Sequence, residues 1–196
     1  MGSKLRRAIL LGVIVLMTLA LGSCGWVLGF LFPNEFEVTG ATFEISKMYV
    51  VNHGKNAEGN FDIFVWLVSD GISATANNSW SGSGDEIGFW INTSTSALAE
   101  GTYGYNPETT HYTSTLYYGL ARVGYSFSTY ETDSDHVING GTLDIWRATL
   151  GDDWVIDFDG AGTNGETIYA HFRGPLEISV IDGPALSSTL PLAKTR

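Results

Sequence analysis

The 196-residue chain is 44% hydrophobic and 13% aromatic, enough to pack one domain of about 150 residues, so disorder is excluded as its ground state. Its formal charge is −11, and Lys4, Arg6 and Arg7 precede an apolar run, so residues 24–196 retain seven basic and 21 acidic side chains, a formal charge of −14. Such a surface repels phosphate backbones and anionic headgroups, which excludes nucleic-acid partners and a polybasic membrane-binding face.

Residues 1–23, MGSKLRRAILLGVIVLMTLALGS, have a basic start, an apolar stretch from Ala8 to Leu21 and small residues at the end. That order predicts a secretory signal and export. Leu21-Gly22-Ser23-Cys24 resembles the lipobox of bacterial lipoproteins, in which the cysteine becomes a lipid-bearing N-terminus. The resemblance implies lipid attachment at Cys24, a membrane partner through that lipid, and a place in the cell envelope, on the outer membrane.

The apolar run also continues through GWVLGFLF to Phe32, about 25 residues in all, long enough to span a bilayer as an uncleaved signal anchor. Under either reading the chain after Phe32 lies outside the cytoplasmic membrane. Cys24 is the only cysteine, so the exported domain has no internal disulfide and relies on core packing. The expected division is a signal peptide at 1–23, a tether at 24–35, an all-β domain at 36–186 and a tail at 187–196.

Beyond residue 35 the text is Thr, Ser, Tyr, Phe, Val and Ile in short runs broken by Gly, Asn and Asp, which is strand composition with turn punctuation. In chain order the expected strands are 36–45, 47–51, 60–69, 85–93, 101–105, 114–122, 123–131, 141–149, 153–159 and 166–174. SWSGSGDE (79–86) and ETDSDH (131–136) read as loops, and no segment sustains an apolar period of 3.6 residues. Short connections favour pairing between sequence neighbours, so the expected fold is all-β, an antiparallel sandwich or barrel of about 8–10 strands after an N-terminal signal helix.

The run GTLDIWRATLGDDWVIDFDGAGTNGETIYAHFRGPL (141–176) and the GTYGY at 101–105 are similar to the C-terminal meander of small all-β surface lipoproteins of the Bacteroidetes type. The shared positions are packing positions. The resemblance therefore implies fold and location, and no catalytic residue.

Catalytic and metal chemistry find little footing in the sequence. Counted from Asp157 as a calcium loop, Asp159 and Gly162 fit, but Ala161 and Ile168 stand where oxygen ligands are required. His53, His111, His136 and His171 are scattered, without the spacing of a zinc site. No nucleophile elbow is present, and with 21 acidic residues no glycosidase pair can be selected. The expectation is a non-enzyme with no cofactor and no metal.

The tryptophans say more. In DEIGFWINT, Ile87, Phe89 and Ile91 share one face of a strand, and Glu86, Gly88, Trp90 and Asn92 share the other. In GTLDIWRAT, Leu143 and Ile145 oppose Asp144 and Trp146, whereas Trp154 lines up with Ile156 and Phe158 and belongs to the core. Trp90 and Trp146, with Glu86, Asn92 and Asp144, are thus the candidate ligand residues: aromatic rings that stack on sugar C–H groups beside polar groups that bond hydroxyls. Three functions are expected from this, all within the cell envelope. One is a carbohydrate-binding surface module, one a lipocalin-like carrier with a cavity lined by Phe64, Trp66 and Tyr125, and one a signal-anchored scaffold that contacts envelope proteins.

Overall fold

The computed structural model describes residues 33–75, 79–108, 112–149 and 151–181, and every strand belongs to the unit Asn34–Arg196. The expectations for residues 1–32 (Cys24 included), His111 and the tail 187–196 lie outside the described residues. The described residues are all-β, and none of their segments is a helix long and apolar enough to cross a membrane.

Twelve strands follow in order: β1 (Glu35–Val38), β2 (Ala41–Glu44), β3 (Lys47–Lys55), β4 (Phe61–Val68), β5 (Ile72–Ala74), β6 (Trp80–Thr93), β7 (Gly101–Tyr105), β8 (Thr115–Ser126), β9 (Ser134–Arg147), β10 (Trp154–Gly162), β11 (Thr167–Gly174) and β12 (Leu176–Ile181). Eleven pair along one path, β12-β3-β4-β6-β8-β7-β9-β10-β11-β1-β2, while β5 folds back onto the start of β6. Most pairs are antiparallel neighbours, but β12 lies parallel to β3 and β7 parallel to β8.

The β8–β9 pair explains the unusual position of β7. Leu120–Val123 of β8 pairs with Ser134–Val137 of β9, after which the two strands part and β7 enters the fork. Gly101–Gly104 then pairs with Thr142–Ile145, and Gly104 and Tyr105 pair with Thr115 and Leu116.

The sheet curls into a half-barrel around its apolar face. Adjacent strands lie about 4.8 Å apart, so Phe89 on β6 and Phe158 on β10, four strands apart in the path, would be about 19 Å apart in a flat sheet. Their ring centroids are 5.1 Å apart. Alternation puts Met48, Val50, Ile63, Val65, Leu67, Ile87, Phe89 and Ile91 into this interior from one limb. From the other limb, Tyr103, Leu143, Phe158, Ala170, Phe36 and Phe43 form one cross-strand row into the same core. Gly160 permits the close fit, because a Cβ there would come within 2.4 Å of the Phe158 ring.

Several expected boundaries move. The single strand at 36–45 is a hairpin, turned by Thr39 (φ 50°) and Gly40 (φ 85°), the two positive φ values that a two-residue turn needs to match strand twist. The expected loop 79–86 is largely strand: Trp80–Gly82 pairs with β5, and the chain then bulges at Gly84/Glu86 to join the main sheet. Ser and Gly suggested a loop because propensity does not register a partner strand. The expected strands 114–122 and 123–131 are one strand to Ser126 followed by a turn, β9 begins inside the expected acidic loop at Ser134, and β12 was not expected.

Candidate functional site

Every second residue of the strands points away from the curled interior, and this outer face has two halves of different character. On β3, β4 and β6 it is apolar. Tyr49, Val51, Phe64, Trp66, Val68 and Ile72 form a second buried cluster, with Ala74, Trp80, Trp90 and Phe127 packed on it. Phe64 is central: its ring centroid is 3.8 Å from Trp90 in a stacked pair and 4.9 Å from Trp66. Trp66 meets Trp80 at 4.2 Å and Phe127 at 5.6 Å. Gly88 makes this possible, since a Cβ there would lie 2.5 Å from the Phe64 ring edge.

Phe64 and Trp66, expected to line the cavity of a carrier, therefore lie outside the barrel interior, held by strand parity. Tyr125 belongs to the same side, with the Arg122 guanidinium 3.6 Å above its ring.

Trp90 and its polar companions also belong here. Trp90 stacks on Phe64 and meets Tyr118 edge-on at 5.1 Å, so aromatic neighbours replace the polar surface expected around it. Glu86 is 2% exposed and opposes Arg122 across β6 and β8, accepting a hydrogen bond from Arg122 Nε at 2.6 Å. Burial outweighs the pull of Arg122 and pushes its carboxyl up to about 7. Asn92 is fully buried and donates through Nδ2 to Asp62 Oδ1 at 2.5 Å. Glu86 Oε2 and Asn92 Oδ1 have no hydrogen-bond partner among the described residues. These residues hold strands together and offer little surface to a ligand.

The other half of the outer face is polar and acidic. Thr102, Asp144, Asp157, His171, Glu35 and Glu44 occupy one cross-strand row over β7, β9, β10, β11, β1 and β2. Thr102 donates to Asp144 Oδ1 at 2.5 Å, and the His171 ring bonds Asp157 Oδ1 through Nδ1 at 2.5 Å. Tyr169, in the next row opposite Asp159 and Glu37, is exposed.

At one end of this row is an open depression of about 430 Å³, lined by Glu100, Gly101, Thr102, Asp144, Ile145 and Trp146. Trp146 is 38% exposed, with its neighbours Leu143 and Ile145 turned into the core as alternation requires. The floor is held from beneath, because Tyr103 is buried opposite Leu143 and donates its hydroxyl to Ala99 O at 2.9 Å. Burial raises that hydroxyl to about 12.

The five candidate ligand residues thus fall into two places. Glu86, Trp90 and Asn92 lie on β6 in the packed half, and Asp144 and Trp146 lie at the open depression, with no ring contact joining the two tryptophans. Sequence reasoning missed Glu100 and Thr102 at the depression and Arg122 beside Glu86. Thr102 was within reach, since alternation in GTYGY sets it opposite the buried Tyr103. Arg122 was not, because two bulges set its register against β6.

Among the described residues no group of three His, Cys, Asp or Glu side chains is placed to hold a metal ion. In the DFDGAGTNGE segment, Glu166 instead closes its own turn, accepting from Asn164 N at 2.8 Å and from Asn164 Nδ2 at 3.0 Å. His136 joins it at 3.2 Å, and these hydrogen bonds, led by that of its own backbone N–H, hold the Glu166 carboxyl down at about 2.

Fold and site together define an all-β protein with a filled, curled sheet and an acidic, aromatic-edged depression on its outer face. No family model, no curated protein and no solved structure matches the chain.

Proposed function

We propose that the chain is an exported, lipid-anchored, non-enzymatic protein of the bacterial cell envelope whose β unit binds glycans at the Trp146 depression. One observation carries the binding reading: a partly exposed indole stands at an open depression beside the hydroxyl of Thr102 and the carboxylates of Glu100 and Asp144. An indole stacks on the C–H face of a sugar ring, and carboxylates and hydroxyls bond its hydroxyl groups, so this combination suits a sugar better than an apolar ligand. Trp90 is removed from the binding role, because Phe64 and Tyr118 occupy its ring.

Export and anchoring rest on the charged and apolar pattern of residues 1–23 and on Leu21-Gly22-Ser23-Cys24. The anchoring is tested by the intact mass of the protein expressed in a bacterial host beside a Cys24→Ser control. A chain starting at Cys24 with added lipid mass supports it, and a retained N-terminus overturns it in favour of a signal anchor. Binding is tested on an array of envelope and plant glycans, with retained glycans titrated against Trp146→Ala. A loss of about fivefold or more in that variant supports the site, the stacking energy of one ring being worth about 1 kcal/mol.

A further inference from the structure

Resting on the glycan reading of the Trp146 depression, we infer that its ligand carries positive charge: an amino sugar with a free, protonated amine, held between Trp146, Glu100 and Asp144. The lining contains two carboxylates and one hydroxyl, and no Lys, Arg or His. Thr102 holds Asp144 Oδ1 at 2.5 Å, which fixes the carboxylate plane and leaves Oδ2 to a ligand.

Nearby cations are engaged elsewhere. Arg147, next to Trp146 in sequence, lies over the Trp154 ring at 4.1 Å and donates to Asp152 O at 2.9 Å. Arg173, two strands away in the Trp146 row, meets Asp153 at 3.5 Å. The charge of the depression is therefore not cancelled locally.

The surroundings add to it. The row leading away from Asp144 continues through Asp157 to Glu35 and Glu44, with His171 as its one basic member, and Asp159 and Glu37 flank it in the next row. Carboxylates spaced at about 4.8 Å per strand across one face sum to a negative potential that collects cations and turns away anionic sugars. A neutral sugar has no use for that field. An ammonium group gains from it, from a charge-assisted hydrogen bond to Asp144 or Glu100, and from the face of the indole.

The test compares two ligands that differ in charge and otherwise share a backbone: a tetramer of β-1,4-linked N-acetylglucosamine and its fully N-deacetylated form. Each is titrated calorimetrically into the full-length protein in a zwitterionic detergent, at low and at high salt. The inference expects the deacetylated form to bind about tenfold tighter at low salt, the worth of one ammonium–indole and carboxylate contact. It expects the gap to shrink at high salt as screening shortens to a few ångströms. Asp144→Asn and Glu100→Gln should each narrow the gap, weakening the deacetylated form by a larger factor than the acetylated one. Equal binding of the two forms overturns the inference and leaves glycan binding standing. If neither form binds, the inference falls, and if the glycan array also retains nothing, the glycan reading falls with it. Melting curves of the two variants that match the parent rule out misfolding as the cause of a narrowed gap.

Discussion

Arg122 and Glu86 face each other across β8 and β6, with Arg122 Nε 2.6 Å from Glu86 Oε1 and a second contact through Nη2. The guanidinium also lies 3.6 Å above the Tyr125 ring, and Asp135 of β9 is its opposite neighbour in the register. The pair therefore ties β6 to β8 beside the fork that admits β7. Its cost is a carboxylate taken out of water.

This arrangement sets a pH dependence. Burial raises the Glu86 carboxyl to about 7 in the folded protein, against an ordinary value of 4.5 in the unfolded chain. The folded state thus holds the proton more tightly, and stability present below about pH 4.5 is lost as pH rises through about 7. The linked loss is about 3 kcal/mol. Urea melts across this range should show the decline, and Glu86→Gln should flatten it. Arg122→Ala should cost about 3 kcal/mol above pH 7, where it strands a buried charge, and less near pH 5, where Glu86 can stay neutral.

The aromatic half of the outer face should be sensitive to a single methyl group. A Cβ on Gly88 would lie 2.5 Å from Cε2 and 2.6 Å from Cζ of Phe64, a ring already stacked on Trp90. Gly88→Ala is expected to cost about 1–3 kcal/mol through overpacking. Combining it with Phe64→Leu should cost less than the sum of the two single changes, and thermal melts of all four proteins measure that coupling.

Trp90 and Trp146 should respond oppositely to truncation. Trp90→Ala removes a stacked ring from a packed cluster and should cost about 2–4 kcal/mol with little effect on glycan affinity. Trp146→Ala removes a ring at an open surface and should lower affinity while moving the melting temperature by less than about 2 °C. Calorimetric binding together with melting separates the two, and a Trp90 variant that folds normally but loses affinity would reverse the assignment.

The β1–β2 turn has room for improvement. Thr39 holds φ 50°, a left-handed conformation that a β-branched residue adopts at a cost, next to Gly40 at φ 85°. Asparagine tolerates that conformation and is favoured at the first position of such a turn. Thr39→Asn should stabilise the protein by about 0.5–1 kcal/mol, read as a rise in melting temperature, and no rise would show that the strain is relieved elsewhere.

Strand interiors were largely readable because period-two alternation is local. It set Ile87, Phe89 and Ile91 inward, placed Trp154 in the core and turned Trp146 outward, as the buried and exposed positions bear out. The partner across a bulge was not readable. Arg122 meets Glu86 in the register that also pairs Ile87 with Ala121 and Trp90 with Tyr118, a stretch bounded by shifts at Gly84/Glu86 and Trp90/Ile91, and β7 enters between β8 and β9 through pairings that no neighbouring residues announce. The Thr39-Gly40 hairpin was hidden for another reason: its turn is two residues long inside an unbroken strand-like text.

What the sequence determined by itself is the class of fold and the face of the residues in the strands it foresaw, since both follow from side-chain alternation and turn residues within a few positions of one another. What only the tertiary structure decided is what covers each face. Trp90 and Trp146 share the outward parity. Yet Phe64 of β4 stacks on Trp90 and Tyr118 of β8 meets it edge-on, while Trp80 and Phe127 close over the adjoining Trp66, and nothing described packs over the Trp146 depression. That division depends on chain segments tens of residues apart closing onto one another, a matter of loop closure and curl that no local pattern encodes.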